Sequence, residues 1–255
     1  MTALPKAFLR IPLAHRALHD VARGRPENSC AAIIAAMDRG YGIEIDLQPS
    51  LDGAAMVFHD YDLERLTHQK GEIRQQEATA LSETLLKGSD EGIPGLSDVF
   101  DLVAGKVPVL LELKDQQGQM GPTDGRLEEA TARCVEGYEG PLAVMSFNPH
   151  MVARLSEILP EVPRGLVTGG FRAQDWPELD EDVRARLRGI PDYDRVGACF
   201  ISHHVKDLSS PRVAELRDRG AAVLCWTVRS PEEASHARPI AANITFEGFL
   251  PPVDA

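Results

Sequence analysis

Short apolar runs alternate with amphipathic stretches along all 255 residues of this chain. The runs are rich in Val, Ile and Leu, as is typical of buried strands, and the stretches between them carry apolar residues at helical spacing. This alternation predicts a parallel sheet, and eight strands in a chain of this length predict an α/β fold, a closed (β/α)8 TIM barrel. The predicted strands are Phe8–Ala14, Ile43–Leu47, Val107–Leu113, Leu142–Ser146, Arg164–Thr168, Ala198–Ser202, Ala222–Val228 and Ala242–Phe246.

The amphipathic stretches predict helices, and the residues at their ends agree with that prediction. Ser29 and Ser97 stand at N-cap positions, and Gly40 and Gly220 stand where C-cap glycines occur. The predicted helices are Ser29–Arg39, Ser97–Ala104, Leu127–Val135, Pro149–Leu159, Asp182–Leu187, Pro211–Asp218 and Pro231–His236. No low-complexity linker separates these elements, so we expect a single domain over residues 1–255.

One insertion interrupts the alternation after the second strand. Asp52-Gly53 is a strong turn signal and predicts a short hairpin return, which brings His59 near the end of that strand. The polar stretch Glu64–Gly92 then forms a small excursion before the next helix. We expect this insertion and two polar loops, 115–125 and 169–180, to project from the carboxyl-terminal face, where barrel enzymes build their sites.

Composition excludes several classes of partner. A formal net charge of −12 argues against nucleic acid and anionic membrane surfaces. No apolar stretch approaches the roughly 20 residues that a membrane span requires, and the N-terminal apolar run is too short for a signal peptide. The four cysteines are far apart in sequence, which favours buried, reduced thiols. We therefore expect a cytoplasmic protein without stable membrane insertion.

Charged residues stand inside two of the apolar strands. Glu44 and Asp46 share one face of the second strand, and Glu112 and Lys114 share one face of the third. Charges in such strands are costly to bury unless they are paired or bind a metal. The three carboxylates offer hard oxygen ligands, which suit Mg²⁺ or Ca²⁺ better than zinc. The plainer alternative is a Glu112–Lys114 salt bridge with ordinary polar residues in the barrel interior.

Two histidines flank these charged strand ends. His15 precedes Arg16 at the end of the first strand, and His59 precedes Asp60 after the hairpin. Histidine titrates near neutral pH, so the pair could divide the roles of general acid and general base. Asp60 and Asp115 either tune neighbouring site residues or hold turns, and we favour the structural role for both. Three carboxylates, two cations and a divalent metal ion sum to +1, which a singly charged phosphodiester would neutralise.

The ordered set of motifs resembles the glycerophosphodiester phosphodiesterase family over nearly the whole chain. The matching elements are His15-Arg16, Pro26-Glu27-Asn28-Ser29, Glu44-x-Asp46, Asp52-Gly53, His59-Asp60, Ile93-Pro94-Gly95-Leu96, Glu112-x-Lys114, Ser146-Phe147 and Trp226-Thr227-Val228. The resemblance implies a TIM barrel that uses a divalent cation to hydrolyse glycerophosphodiesters to glycerol 3-phosphate and an alcohol.

The resemblance also implies a role for each matching residue. Glu44, Asp46 and Glu112 would be metal ligands, and His15 and His59 would be the general acid and base. Arg16 and Lys114 would contact the phosphate, while Phe147 and Trp226 would help to wall the glycerol pocket. Without the resemblance, barrel packing is the plainer interpretation of the two aromatic residues.

The chain departs from the family pattern at three places. Ala17 stands where glycine usually follows His-Arg, and alanine excludes backbone angles that only glycine reaches easily. The loop 17–25 is longer than usual and is expected at the pocket mouth, where it would affect substrate preference. The chain reads Thr245-Phe246-Glu247 where the family commonly carries Thr-Asp.

Two alternatives to this activity stay open. One is a lysophospholipase D-type activity on lipidated phosphodiesters, which would call for an apolar mouth. The other is a catalytically silent barrel that binds phosphodiesters or metabolites as a sensor, which predicts the loss of a metal ligand or catalytic histidine. The sequence leaves the oligomeric state open.

Overall fold

Eight parallel strands close into a barrel in the computed structural model, which describes residues 2–253. In chain order the strands are β1 (Leu13–His15), β2 (Gly42–Pro49), β3 (Ala55–Val57), β4 (Val109–Leu113), β5 (Leu142–Ser146), β6 (Arg164–Thr168), β7 (Phe200–His204), β8 (Ala222–Val228) and β9 (Asn243–Phe246). The first strand, β1, pairs with both β2 and β9, which closes the ring. The extra strand β3 runs antiparallel to β2. The predicted TIM barrel is confirmed.

Helices connect successive strands, as the alternation predicts. They are α1 (Cys30–Met37), α2 (Ala78–Glu83), α3 (Leu96–Val103), α4 (Arg126–Val135), α5 (Pro149–Ile158), α6 (Glu181–Arg188), α7 (Pro211–Asp218) and α8 (Pro231–Ala237). Seven of them match the predicted helices, and α2 lies in the insertion, where no helix was expected. Across residues 2–253, no helix is long and apolar enough to cross a membrane.

Helix ends follow the sequence signals with one exception. The Ser29 hydroxyl accepts a hydrogen bond from the Ala32 N–H at the start of α1. The expected N-cap at Ser97 is wrong, because the N-cap of α3 is Gly95, two residues earlier, and the helix begins at Leu96. The Asp98 carboxylate accepts from the Gly95 N–H and so fixes the earlier start.

The first predicted strand is too long at its N-terminal end. Residues Lys6–Leu9 form a 3₁₀ helix instead, and only Leu13–His15 enters the sheet. Pro12 lacks the N–H that a strand needs for its ladder, and the Phe8 side chain is fully buried among the apolar side chains inside the barrel. The Asn243 side chain donates to the Phe8 and Ile11 carbonyl oxygens, which fixes this segment across the base of the barrel.

The insertion after β2 is a small folded unit. The Asp52-Gly53 turn joins β2 to β3, and a 3₁₀ helix over Ile73–Gln75 and helix α2 follow. Its buried side chains form their own apolar cluster, which comprises Met56, Phe58, Leu63, Ile73, Leu81, Leu86 and Ile93. The insertion therefore has a fixed shape, and its loops hold their side chains in defined places.

The four cysteines are free thiols, as expected. Only Cys225 is buried, however, and Cys30, Cys134 and Cys199 are partly exposed. The expectation that all four are buried is wrong, because three of them lie at helix or strand ends rather than within the sheet.

Glycine allows close packing at one point inside the barrel. Gly165 on β6 lies against the fully buried Phe200 ring, and a methyl group at this position would overlap that ring. Overpacking a filled core costs about 1–3 kcal/mol. We predict that Gly165→Ala lowers the free energy of unfolding by this amount in urea titrations.

Gly121 provides the matched control for this prediction. A methyl group there meets no heavy atom of residues 2–253 within 4 Å, and its φ lies outside the left-handed region that favours glycine. Gly121→Ala should leave the free energy of unfolding within about 0.5 kcal/mol of the original. Equal stability of the two variants would contradict the packing argument.

Candidate active site

Strand register gathers the charged residues at the carboxyl-terminal end of the barrel. His15 on β1 is paired with Glu44 on β2, and Asp46 on β2 is paired with Glu112 on β4. Side chains alternate between the two faces of a strand, and these four lie on the face that points into the barrel interior. Every one of the nine predicted site residues except Asp46 lines a single small cup of about 70 Å³ at this end.

Three buried carboxylates form the centre of the site. Glu44, Asp46 and Glu112 each place an oxygen within 4.8 Å of the other two. All three side chains are almost fully buried, so water screens their mutual repulsion poorly. A cluster of this kind needs positive charge close to it.

Lys114 supplies part of that charge. Its ammonium nitrogen lies 2.7 Å from Asp46 Oδ1 and 2.5 Å from Glu112 Oε1. Burial would lower the pKa of Lys114, but Asp46 and Glu112 outweigh that effect and raise it, so the ammonium stays protonated. The predicted Glu112–Lys114 pair is therefore present, but within a larger cluster.

Neutral groups hold the carboxylates in position. The Asn28 amide donates to Asp46 Oδ2 at 3.0 Å, and the Arg16 backbone N–H donates to Glu44 Oε2 at 3.1 Å. Asn28 has a φ of 61°, a left-handed conformation that asparagine tolerates better than most residues. These bonds fix the direction in which the carboxylate oxygens point.

The donor set fits a hard divalent cation. Burial first, and then Asp46 and Glu112, raise the pKa of Glu44 well above its ordinary value. Asp46 differs, because Lys114, His59 and Arg16 outweigh its burial and lower its pKa. Lys114 lowers the pKa of Glu44 but does not outweigh these effects, so negative charge at Glu44 remains only partly compensated. Three oxygen donors with this need for positive charge are compatible with Mg²⁺ or Ca²⁺.

The His59 ring is oriented by its neighbour. Its Nδ1 lies 2.7 Å from Asp60 Oδ1, which leaves Nε2 as the free ring nitrogen. Asp60 therefore orients a site residue, whereas the sequence favoured a role in holding a turn. Asp115 does hold a loop, since its carboxylate accepts from the Asn148 amide and the Met120 N–H.

Glu247 orients the second histidine. His15 Nδ1 lies 2.8 Å from Glu247 Oε2. Burial lowers the pKa of His15, and the nearby Arg16 acts in the same direction, while Glu247 opposes them. The hydrogen bond to His15 in turn lowers the pKa of Glu247 to about 2. At neutral pH the ring is therefore neutral, with Nδ1–H donating to the carboxylate and Nε2 free.

Arg16 and Ala17 turn the chain sharply after β1. Both adopt left-handed angles, with φ values of 52° and 64°. The expectation that alanine excludes this conformation is wrong. The Ala17 N–H donates to the Ala14 and Glu44 carbonyl oxygens, and these bonds offset the roughly 1–2 kcal/mol that left-handed angles cost.

The loop after Ala17 does not line the pockets of the site. Residues 18–25, all within the part of the chain that the structure describes, line neither the cup nor the cleft described next. Val21 lies instead against Gly88 of the insertion. His19 of the loop does lie near enough to Glu247 to help lower the pKa of that carboxyl, so the loop approaches the site only on the side of the His15–Glu247 pair.

A larger cleft opens from the cup. It has a volume of about 660 Å³ and shares His59, Glu112, Lys114, Phe147 and Trp226 with the cup. The Phe147 ring packs edge-on against Trp226 at 5.4 Å and against Trp176 at 4.9 Å between ring centroids. The Trp226 N–H donates to the Ser202 carbonyl oxygen, which fixes the indole. These aromatic rings form one wall of the cleft.

Residues 15–244 match the model of the glycerophosphoryl diester phosphodiesterase family. The chain belongs to this family. Among curated proteins, it is 29% identical over 160 residues to a glycerophosphodiester phosphodiesterase of Caldanaerobacter subterraneus, a match covering 59% of this chain and 65% of that protein. It is 24% identical over 234 residues to YhdW of Bacillus subtilis, a match covering 88% of each chain.

Solved structures of family members share the fold. A phosphodiesterase from Oleispira antarctica, solved in complex with the product sn-glycerol-3-phosphate, matches with a TM-score of 0.76 at 22% identity, over 94% of this chain and 93% of that one. A glycerophosphodiester phosphodiesterase from Thermotoga maritima matches with a TM-score of 0.69 at 19% identity, over 92% and 94% of the two chains.

Sequence reasoning missed several residues of the site. Glu27 and Asn28 lie in a motif that the family shares, yet neither was assigned a role, although Asn28 contacts Asp46. Glu247 was noted only as a departure from the family pattern, although its place directly after the last strand was a usable signal. Trp176 is one of two tryptophans in the chain and stands in a polar loop, where such a residue signals binding.

The crowding of carboxylates predicts a stability effect in the metal-free protein. The pKa of Glu44 is raised in the folded state, so its contribution to stability is full below pH 4.5 and is lost as pH rises through the raised value. Glu44→Gln keeps the acceptor for the Arg16 N–H and removes the charge. With chelator at pH 8, we predict a melting temperature at least about 2 °C higher, as about 1 kcal/mol gives in a domain of this size.

The exposed Glu83 on α2 provides the control, and Glu83→Gln should leave the melting temperature unchanged. A fall in melting temperature for Glu44→Gln at pH 8, or a gain that is equally large at pH 5, would contradict the proposed electrostatic origin.

Proposed function

We propose that this protein hydrolyses glycerophosphodiesters to glycerol 3-phosphate and an alcohol, with the help of a divalent cation. The observation that carries the proposal is a pair of histidines beside the carboxylate cluster, each held at Nδ1 by its own carboxylate. Both rings line the cup and each has its Nε2 free for proton transfer. Membership of the family points to the same chemistry.

Hydrolysis of a phosphodiester needs one proton removed and one supplied. In our proposal, one histidine accepts the proton of the attacking hydroxyl, and the other donates a proton to the leaving alkoxide. A neutral imidazole ring that donates its Nδ1–H to a carboxylate has its basic Nε2 available to the substrate. His15 would act in this way while Glu247 accepts from its Nδ1–H. Either water or the neighbouring glycerol hydroxyl can serve as the nucleophile, the latter through a cyclic phosphate.

Positive side chains would bind the phosphate. Arg16 and Lys114 line the cup, and the acidic groups beside them outweigh the effect of burial on their pKa and keep both protonated. Two residues that line the cup, Arg16 and Thr245, each have a buried polar atom without a hydrogen-bond partner within residues 2–253, Arg16 Nε and Thr245 Oγ1, although Arg16 Nε lies 3.6 Å from Asp46 Oδ2. Donors held in a buried site stabilise the charge that develops on the phosphoryl oxygens.

Glu44, Asp46 and Glu112 would hold the metal ion, Mg²⁺ or Ca²⁺. When bound, such an ion neutralises the carboxylate cluster and polarises the phosphoryl group. The three residues supply only oxygen donors, which the ion prefers.

The aromatic wall would position the organic part of the substrate. Phe147 and Trp226 border both the cup and the cleft, so they would wall the glycerol next to the phosphate. Their rings contact each other, which leaves them little freedom to move. A small glycerophosphodiester fits a cleft of this size, which lies within the usual range for small-molecule sites.

These features of the site support the two alternative functions, a silent sensor and a lysophospholipase D-type enzyme, less well. A silent sensor would not need both histidines and all three carboxylates, which this chain retains. A lipidated substrate would profit from the aromatic wall, but Asp62, Glu64 and Glu178 also line the cleft and would repel an anionic membrane surface. The small diester is therefore the favoured substrate.

The decisive assay measures glycerol 3-phosphate released from glycerophosphodiesters with choline, ethanolamine or glycerol headgroups. For an analogue acylated on the glycerol it measures the released headgroup alcohol, because the other product keeps its acyl chain. We expect release with Mg²⁺ or Ca²⁺, loss of release with chelator, and faster turnover of the small diesters. His15→Ala and His59→Ala should each lower kcat by about 10²–10⁴-fold, because each removes a proton-transfer group.

His236 on α8 lies outside the cup, so His236→Ala is a matched control and should keep the original kcat. No release from any diester by folded, metal-loaded protein would refute the proposed activity. Faster turnover of the acylated analogue would instead favour the lysophospholipase D-type alternative.

Glu247 provides a second test of the histidine roles. Glu247→Gln removes the charge that holds the His15 tautomer, so we predict at least about a tenfold lower kcat, a smaller loss than the roughly 10²–10⁴-fold expected for removing the histidine itself. Glu232→Gln, on the exposed face of α8, is the control and should have no effect. An unchanged kcat in Glu247→Gln would show that the carboxylate is dispensable.

A further inference from the structure

Arg65 binds two carboxylates of the site with one guanidinium group. It donates from Nε to Asp60 Oδ2 at 2.6 Å and from Nη2 to Asp60 Oδ1 at 2.8 Å. It also donates from Nη1 to Glu27 Oε2 and from Nη2 to Glu27 Oε1, both at 2.8 Å. Paired, charge-assisted bonds of this type combine strength with a fixed geometry, which a flexible ammonium group cannot reproduce.

Each of these carboxylates holds one predicted site residue. Asp60 Oδ1 contacts His59 Nδ1 at 2.7 Å, and Glu27 Oε1 accepts from Arg16 Nη1 at 2.7 Å. The same oxygen atoms of Asp60 and Glu27 are therefore shared between Arg65 and the site residue. Arg65 and Arg16 together outweigh the burial of Glu27 and lower its pKa, so its carboxylate is charged.

The insertion fixes Arg65 from behind. Lys87 Nζ donates to the carbonyl oxygens of Glu64 and Arg65, at 2.5 Å and 3.1 Å. The buried Leu63 side chain anchors the same segment in the apolar cluster of the insertion. The backbone of Arg65 is thus held by the insertion, while its guanidinium reaches Glu27 on the barrel.

We propose that Arg65 is a positioning residue, which fixes His59 and Arg16 relative to each other through Asp60 and Glu27. The inference rests on the proposed function, in which His59 transfers a proton and Arg16 binds the phosphate. It gives the insertion a role in the reaction, because the insertion carries Arg65. This residue connects the pair of Asp60 and His59 with the pair of Glu27 and Arg16.

Arg65→Gln should alter both kinetic parameters. Loss of the Asp60 contact frees the His59 ring and lowers kcat, while loss of the Glu27 contact frees Arg16 and raises KM. We expect kcat/KM to fall about 10- to 100-fold, as is typical when an outer partner of a site residue is removed. Arg65→Lys keeps the charge but not the paired geometry, so it should recover only part of the loss.

A double-mutant comparison separates positioning from direct substrate contact. In the Glu27→Gln/Asp60→Asn background, the partners of Arg65 are already neutral, so adding Arg65→Gln should lower kcat/KM less than threefold further. If Arg65→Gln lowers kcat/KM in this background as much as it does in the original protein, Arg65 acts on the substrate itself and the proposal is overturned.

Controls distinguish a kinetic effect from loss of folding. Arg74 is a second arginine of the insertion, paired with Glu72 at 2.5 Å, and Arg74→Gln should keep the original kcat and KM. Melting temperatures are recorded for every variant. If Arg65→Gln does not fold, Arg65→Lys carries the test, and original values of kcat and KM in that variant would overturn the proposal.

Failure of this inference differs from failure of the proposed function. An inactive original protein, under conditions where it is folded and metal-loaded, removes the proposed function itself. If the original protein is active and both Arg65 variants keep its kcat and KM, only the proposed positioning role of Arg65 is refuted.

Discussion

The mutual repulsion of three buried carboxylates is the constraint on which the rest of the site depends. Glu44, Asp46 and Glu112 lie within 4.8 Å of one another, where little water screens them. Lys114 relieves Asp46 and Glu112 directly, and backbone and amide donors hold the oxygens in place. Glu44 retains a raised pKa, so the cluster still favours added positive charge. The energetic cost of this arrangement is the physical argument for a cation site.

Around this centre, both histidines and Arg16 are each held by a carboxylate partner. Glu247 holds His15, Asp60 holds His59, and Glu27 holds Arg16. Ordered side chains lose little freedom when substrate binds, so binding energy can be used for the reaction. The barrel supplies the carboxylate cluster, and the insertion supplies Arg65, which joins two of these pairs.

Local pattern was sufficient to predict the barrel and the centre of the site. Alternation of side chains along a strand places Glu44 and Asp46 on one face, and the same rule places Glu112 beside Lys114. Parallel neighbours then bring Asp46 opposite Glu112, as the register shows. The N-terminal run was misread because Phe8 fills the barrel base instead of extending β1, a choice made by packing that no local pattern reveals. The roles of Arg65 and Glu247 were not predicted from the sequence for a similar reason. The contacts of Glu247 with His15 and of Arg65 with Glu27 join distant parts of the chain.

The central claim is that the carboxylate cluster is a divalent cation site, and calorimetric titration of chelator-treated protein with Mg²⁺ and with Ca²⁺ tests it most directly. The account predicts one ion bound per chain, with at least a hundredfold weaker binding in Asp46→Asn, which loses a charged ligand but keeps its shape. Binding of equal strength in Asp46→Asn, or no binding by the original protein, would contradict it.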